Sequence, residues 1–163
     1  MNEIKAAYKH VTSIESRSPQ QTQAIAAKLA EQLVGGEVIE LRSDLGGGKT
    51  TFVQGLAAAL GFAGHVTSPT FTLSQIYALP KEKELHHYDL YRLTESGVVG
   101  SELAEDIGDA HVITVVEWAG LVEATLPADR IVIDFEVTSD DGRRLRIEGT
   151  GPRSAATLDE ASL

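Results

Sequence analysis

The feature of this sequence that most constrains its fold is a glycine-rich loop between a predicted strand and a predicted helix. Residues 43–50 read SDLGGGKT, which departs from the pattern G-x-x-x-x-G-K-[ST] only at Ser43, where the pattern has glycine. The apolar run at 38–41 predicts a buried strand, and residues 51–60 carry apolar side chains at helical spacing. Strand, loop and helix in this order predict an α/β domain whose loop binds phosphate groups.

The residue types of the loop suit this chemistry. Glycines allow successive backbone N–H groups to curl around a phosphate chain, and the following helix adds the positive end of its dipole. Lys49 can reach the β- and γ-phosphates, and the Thr50 hydroxyl can hold a bridging Mg²⁺. The alternative is a glycine-rich turn that only links a strand to a helix. The Cβ of Ser43 could tighten the corner or weaken nucleotide binding, but it leaves the later donors in place.

The remaining pattern predicts a P-loop NTPase-like three-layer fold, with a mainly parallel central sheet, helices on both faces and a C-terminal antiparallel hairpin. We expect one ATPase domain over residues 1–150 and a mobile tail, rich in small and polar residues, over 151–163. The predicted helices span 18–35, 51–60 and 101–107. The predicted strands lie at 38–41, within 66–77, at 85–91 and at 112–116, with a hairpin formed by 130–137 and 144–148.

Charge and composition exclude several classes of function. The formal charge of the 163 residues is -10, so the surface repels a nucleic-acid backbone, and any role in nucleic-acid chemistry should run through a protein partner. There is no apolar run near the ~20 residues that a membrane span needs and no secretory h-region, so the cytoplasm is the expected location. The absence of cysteine excludes disulfides and thiolate metal sites.

Three further segments are candidates for the chemistry. Glu117 follows the apolar run 112–116, which is where nucleoside triphosphatases place a carboxylate on the Mg²⁺ side; a solvated strand end is the alternative. Asp89 could bring a second carboxylate, although an edge strand with alternating polar residues would look the same. Thr70 lies in a hydroxyl-rich segment, 67–72, that resembles a γ-phosphate switch, or else forms a plain Ser-Pro turn. No segment resembles a guanine-binding N-K-x-D motif, so nothing favours GTP over ATP.

Four motifs follow one another in the chain: DLGGGKTTF at 44–52, SPTFTL at 68–73, HYDLYRL at 87–93 and VEW at 116–118. Together they resemble one family, the bacterial tRNA threonylcarbamoyladenosine biosynthesis ATPases, TsaE, also called the YjeE family. The resemblance covers about residues 18–149, and Ser43 is the departure from the family's loop.

The resemblance implies a Mg²⁺-dependent ATPase that is weak alone and stimulated by partner proteins. The family acts in threonylcarbamoylation of adenosine 37 in tRNAs that read codons starting with A. The implied partners are the threonylcarbamoyl transferase subunit TsaD and its silent homologue TsaB, and tRNA is met only through that complex.

The resemblance also implies roles for individual residues. Lys49, Asp89 and Glu117 would be catalytic, and Thr50 and Glu117 would hold the metal. The residues that would bind the nucleotide are Asp44, Leu45, Gly46, Gly47, Gly48, Lys49, Thr50, Thr51, Thr22, Thr70 and Trp118.

Two other classes of function use the same loop. A small-molecule kinase would need an acceptor pocket and usually an arginine-bearing lid, yet no arginine lies between Leu93 and Val112. A nucleotide-gated adaptor would bind ATP tightly, with hydrolysis incidental.

Overall fold

The molecule is built on one mixed β-sheet of seven strands, as given by a computed structural model that describes residues 9–44, 46–68 and 72–163. The strands are β1 (His10–Ser16), β2 (Val38–Arg42), β3 (Ser74–Leu79), β4 (Lys83–Asp89), β5 (Val112–Glu117), β6 (Ile131–Val137) and β7 (Arg143–Gly149). The helices are α1 (Pro19–Ala30), α2 (Lys49–Leu60), α3 (Gly97–Ile107) and α4 (Pro152–Ala161), with short 3-10 turns at Ala119–Leu121 and Glu123–Thr125.

The strand order is β1-β7-β6-β2-β5-β4-β3, and its centre is parallel. Strands β6, β2, β5 and β4 run parallel to one another, whereas β1, β7 and β3 add antiparallel pairs at the two sides. The predicted α/β class and the C-terminal hairpin are therefore confirmed. The hairpin closes with a hydrogen bond from Thr138 N to Gly142 O of 3.1 Å.

Helices cover both faces of the sheet and bury an apolar core on each. Helices α1, α2 and α4 pack on one face, where Phe52, Leu56 and Leu158 are fully buried against the central strands. Helix α3 and the 3-10 turns cover the other face, with Leu103 at the centre of a smaller cluster. Successive residues of a strand point to opposite faces of the sheet. The last two residues of each central strand therefore place one side chain on each face.

Helix α1 begins where the sequence predicts but ends earlier. Ser18 Oγ accepts a hydrogen bond from Gln21 N at 3.1 Å, as an N-cap should. The helix ends at Ala30 rather than near Gly35: Gln32 N and Leu33 N donate to carbonyls three residues back, and the Glu37 carboxylate then accepts hydrogen bonds from Val34 N and Gly35 N. Those amides are thereby removed from the helical ladder.

Strand β1 is an element that the sequence pattern did not predict. It pairs antiparallel with β7 along its whole length, from His10↔Gly149 to Ser16↔Arg143. Its apolar residues are only Val11 and Ile14, so it lacks the alternation that usually marks a half-buried strand.

The expectation of a mobile tail is corrected by helix α4. Leu158 is fully buried, and Ala155 and Ala161 pack beside it one turn away on each side. The N-terminus of the helix is capped from elsewhere in the chain: Asp129 accepts hydrogen bonds from Arg153 N at 2.8 Å and Ser154 N at 3.0 Å. This part of the cap lies up to 25 positions away in sequence, whereas Pro152 at the first helical position and the hydrogen bond from Gly151 N to Ser154 Oγ are local features of the helix start.

None of the helices in the described part of the chain is both long and apolar enough to span a bilayer.

Candidate functional site

The glycine loop lies at the carboxyl ends of the parallel strands, between β2 and α2. Strand β2 ends at Arg42 and helix α2 begins at Lys49, so the loop turns the chain directly from sheet to helix. Gly46 and Gly48 have φ of +78° and +99°, a region that side-chain-bearing residues seldom adopt. Leu45, one of the predicted nucleotide-binding residues, lies outside the described residues, and Asp44 is exposed at the loop's start.

Lys49 turns its side chain back over the loop. Its Nζ donates to Ser43 O at 3.1 Å and to Asp44 O at 3.4 Å, and it lies 4.5 Å from the centroid of the Trp118 ring. Burial lowers the pKa of Lys49, opposed by the nearby carboxylates of Glu117, Asp89 and Asp44. A cation surrounded by backbone oxygens and an aromatic face is positioned to meet a polyphosphate at this loop.

The two predicted carboxylates meet at one point of the sheet. Strands β4 and β5 are parallel neighbours, and their registration pairs Asp89 directly with Glu117. Glu117 is also registered with Leu41 of β2, just before the loop. Both carboxylates therefore leave the sheet on the face that α2 covers, beside Lys49.

Glu117 is buried, so the alternative of a solvated strand end is wrong. Its residue is 2% exposed, and its Oε1 has no hydrogen-bond partner among the described residues. His87 Nε2 approaches this oxygen to 3.2 Å without the geometry of a hydrogen bond. A buried carboxylate oxygen without a donor is costly unless a cation or a hydrogen-bond donor meets it.

Asp89 is on an interior strand, which rules out the edge-strand alternative. Strand β4 has β5 on one side and β3 on the other. The Asp89 carboxylate accepts from Ser68 Oγ at 3.3 Å and from Tyr91 N at 3.3 Å. Ser68, near the start of the predicted switch segment, thus lies next to Asp89, while Thr70, the switch residue itself, lies outside the described residues.

Trp118 forms a wall of the site immediately after Glu117. Its φ of +58° and ψ of +52° are left-handed, an uncommon conformation for a bulky residue. This turn aims the indole towards Lys49, and Tyr91 packs on it with ring centroids 5.0 Å apart. Strained backbone of this kind concentrates at functional sites.

These groups line one cavity of about 280 Å³ at the carboxyl edge of the sheet. Thr50 and Thr51, the first hydroxyls of α2, face it together with the glycines, Lys49, Asp89, Glu117 and Trp118. Thr22 lies beside it: it is buried, shares a 2.7 Å hydrogen bond with Ser16 Oγ, and lines an adjoining cavity of about 50 Å³. All predicted site residues within the described parts of the chain thus gather at or beside one site, or at the loop that forms it.

Arg143 is a member of this site that sequence reasoning missed. It starts β7, and its guanidinium donates to Gly47 O at 3.1 Å and to Gly46 O at 3.2 Å. The only local signal was an arginine directly after the hairpin turn at 140–142. The contact between Arg143 and the glycine loop depends on how the β6–β7 hairpin packs against that loop, and no sequence pattern predicts this packing.

The residues of this cavity fit a Mg²⁺-bound nucleoside triphosphate. The glycine cradle offers backbone donors and Lys49 a cation, and the unpaired Glu117 oxygen and the Thr50 hydroxyl are hard oxygen ligands of the kind that Mg²⁺ prefers. No group of three or more histidine or acidic side chains in the described segments forms a separate metal cluster. The metal would therefore share its coordination with phosphate oxygens, as is usual for Mg²⁺.

Comparison with known proteins agrees with this geometry. Residues 16–145 match the model of the family described as threonylcarbamoyl adenosine biosynthesis protein TsaE. The chain belongs to the TsaE family. This membership connects it with tRNA threonylcarbamoyladenosine biosynthesis and confirms the resemblance inferred from the four motifs.

Individual TsaE proteins are similar over most of their length. The tRNA threonylcarbamoyladenosine biosynthesis protein TsaE of Bacillus subtilis is 36% identical over 153 residues, covering 89% of this chain and 90% of that protein. The protein of the same name from Aquifex aeolicus is 41% identical over 132 residues, covering 80% and 90%. The crystal structure of Bacillus subtilis YdiB superposes with a TM-score of 0.75 at 32% identity, covering 94% of this chain and 95% of that one. These two TsaE proteins match this chain over most of their length, and the YdiB structure has the same fold.

Proposed function

We propose that this protein is a Mg²⁺-dependent ATPase that converts ATP and water to ADP and phosphate in support of threonylcarbamoylation of adenosine 37 in tRNAs reading codons that start with A. The observation that supports it best is the convergence of the glycine loop, Lys49, Asp89 and Glu117 on one cavity, in a chain of the TsaE family. A linking turn would need neither the buried carboxylate nor the lysine.

Each group has a role that its position suits. Lys49 offsets the charge of the β- and γ-phosphates, and the backbone N–H groups of the loop hold the phosphate chain. Thr50 and Glu117 hold the metal, and Mg²⁺, when bound, neutralises charge on the phosphate oxygens. Asp89 orients the water that attacks the γ-phosphorus, and Trp118 excludes bulk water from one side. Catalysis here is mainly positioning and electrostatics.

The proposed partners are the threonylcarbamoyl transferase subunit TsaD and its homologue TsaB, with the three proteins acting in the cytoplasm. The net charge of -10 opposes direct contact with tRNA, so we propose that tRNA is reached only through the complex. ATP hydrolysis in this chain would then depend on contacts that TsaD and TsaB supply.

The test is phosphate release from Mg·ATP by this protein alone, with TsaD and TsaB, and with both plus tRNA. We expect slow release alone and stimulation by the partners, with no stimulation when EDTA replaces Mg²⁺. A mobility-shift assay at physiological salt should detect no complex between tRNA and this protein alone.

Other outcomes would identify the competing functions. Transfer of the γ-phosphate to a metabolite would indicate a kinase, and tight binding of ATP without turnover under any condition would indicate an adaptor. The Lys49→Ala variant is the control for the assays of phosphate release, γ-phosphate transfer and ATP binding. It removes the cation from the loop and should abolish productive nucleotide binding.

A further inference from the structure

We infer that Arg143 is the positioning residue of the glycine loop: it fixes the peptide planes of Gly46 and Gly47 from outside, so that the loop is held ready for phosphate. The inference rests on the proposed function of the loop and concerns a residue outside its sequence motif. Arg143 also lines the cavity of the site, and the inference concerns its contacts with the backbone of the loop.

The contacts of Arg143 join two loops that are far apart in sequence. Nε and Nη2 donate to the carbonyls of Gly47 and Gly46, 96 and 97 positions away. Nη1 donates to the carbonyls of Ser139, Asp140 and Gly142, in the turn of its own hairpin. All three nitrogens of the guanidinium therefore donate to backbone, and the side chain acts as a bridge.

The stem of Arg143 completes the contact. A Cβ placed on Gly48 would lie 3.6 Å from Nε and 3.8 Å from Cγ of Arg143. The arginine thus holds the carbonyls of two consecutive glycines by hydrogen bonds, and its side chain lies on the side of Gly48 where a Cβ would stand. Glycine backbone loses more conformational freedom on ordering than any other residue, so this segment gains most from an external restraint.

The direction of the hydrogen bonds explains the effect on phosphate binding. The C=O and N–H of one peptide unit point in opposite directions, so holding the Gly47 carbonyl towards Arg143 turns the Gly48 N–H away from it. Preorganised donors bind an anion more tightly because their ordering is complete before the ligand arrives. Charge-assisted hydrogen bonds are stronger than neutral ones, which suits arginine to this task.

Lysine could not replace arginine here. The ammonium is a single point charge, whereas the planar guanidinium reaches both glycine carbonyls and the hairpin turn at once. Arg144 supplies a matched control. It is the next residue on β7, points away from the loop, and pairs with Glu15 and Glu136 on the surface.

The first measurement needs no nucleotide. Hydrogen exchange of peptides covering 43–50 should be faster in Arg143→Ala and Arg143→Lys than in wild type, and unchanged in Arg144→Ala. Circular dichroism melts of all variants show whether the fold is intact. If Arg143→Ala does not fold, Arg143→Lys, which keeps the charge and the stem, carries the comparison.

The second measurement is Mg·ADP affinity by calorimetry. We expect both Arg143 variants to bind on the order of tenfold more weakly, and Arg144→Ala to bind as wild type does. Millimolar guanidinium should restore part of the affinity of Arg143→Ala but not change that of wild type. The inference is overturned if the Arg143 variants show the same hydrogen exchange and the same Mg·ADP affinity as Arg144→Ala. Faster exchange in the Arg143 variants, with no ADP binding even by wild type, would instead overturn the proposed function and leave Arg143 as the residue that orders the loop.

Discussion

Asp89 and Glu117 are directly registered partners on adjacent parallel strands, and both lie beside Lys49. Two carboxylates held together in this way repel one another, and the lysine between them and the loop offsets that repulsion. A bound nucleotide and its metal would therefore change the balance of charge among Asp89, Glu117 and Lys49. Four predictions test this arrangement and the fold that supports it.

Glu117→Ala and Asp89→Ala should separate nucleotide binding from turnover. Removing one carboxylate relieves repulsion of ATP while it loses metal coordination, so affinity should stay within about tenfold, or ~1.4 kcal/mol. Stimulated hydrolysis should fall by orders of magnitude, because it depends on placement of water and metal. Phosphate release and Trp118 fluorescence titrations measure the two quantities. Glu136→Ala, an exposed carboxylate on β6, is the control. Near-wild-type hydrolysis in either variant would make that carboxylate structural.

Nucleotide binding should weaken with rising pH before an ordinary lysine would lose its proton. Burial lowers the pKa of Lys49 from the usual 10.5, in spite of the acidic groups around it. Above its lowered pKa the side chain becomes neutral and no longer attracts phosphate. ADP affinity measured from neutral to alkaline pH should therefore fall in wild type. In Lys49→Arg, whose charge persists, the profile should be flat; parallel profiles in the two proteins would argue against Lys49 as the titrating group.

Ser43 and Gly47 should be coupled. A Cβ on Gly47 would lie 2.1 Å from Ser43 Oγ and 2.6 Å from its Cβ, so Gly47→Ala should lower stability by about 1–3 kcal/mol and weaken nucleotide binding. Ser43→Gly alone should leave affinity unchanged or slightly improved. In the Ser43→Gly background, Gly47→Ala should recover part of its loss. Strictly additive effects in thermal melts and ADP titrations would show that the two positions do not interact.

Leu158→Ala should destabilise the whole domain. The side chain is fully buried against the sheet, and large-to-small changes at such positions cost about 2–5 kcal/mol. Glu160→Ala, on the exposed side of α4, should change stability little. Urea unfolding gives both values. A loss below about 0.5 kcal/mol for Leu158→Ala would mean that α4 contributes little to the folded state.

Sequence reasoning succeeded where the signal was local. The order of strand, loop and helix around Lys49 and the apolar run before Glu117 each carry their own pattern, and both predicted the correct element. From the parallel arrangement of such strands, the meeting of their ends at one edge follows directly. The predicted roles of these residues remain predictions that the experiments above address.

Two of the contacts that sequence reasoning missed join residues that are distant in sequence. Asp129 caps the N-terminus of α4 from 24 and 25 positions away, and Arg143 holds the loop from 96 and 97 positions away. Single-residue hydrogen bonds of this kind have no periodicity. Only the folded arrangement brings the donor to the acceptor.

The pairing of β1 with β7 has a consequence for the chain during synthesis. Arg144 on β7 meets Glu15 on β1 across 129 positions, so β1 has no partner until nearly all of the domain has left the ribosome. An unpaired strand is a template for association with other chains. Strand β1 carries few apolar residues, however, and a polar strand with a glutamate is a poor seed for aggregation. The low apolar content that makes β1 hard to predict from the sequence thus also protects the nascent protein from aggregation until β1 pairs with β7.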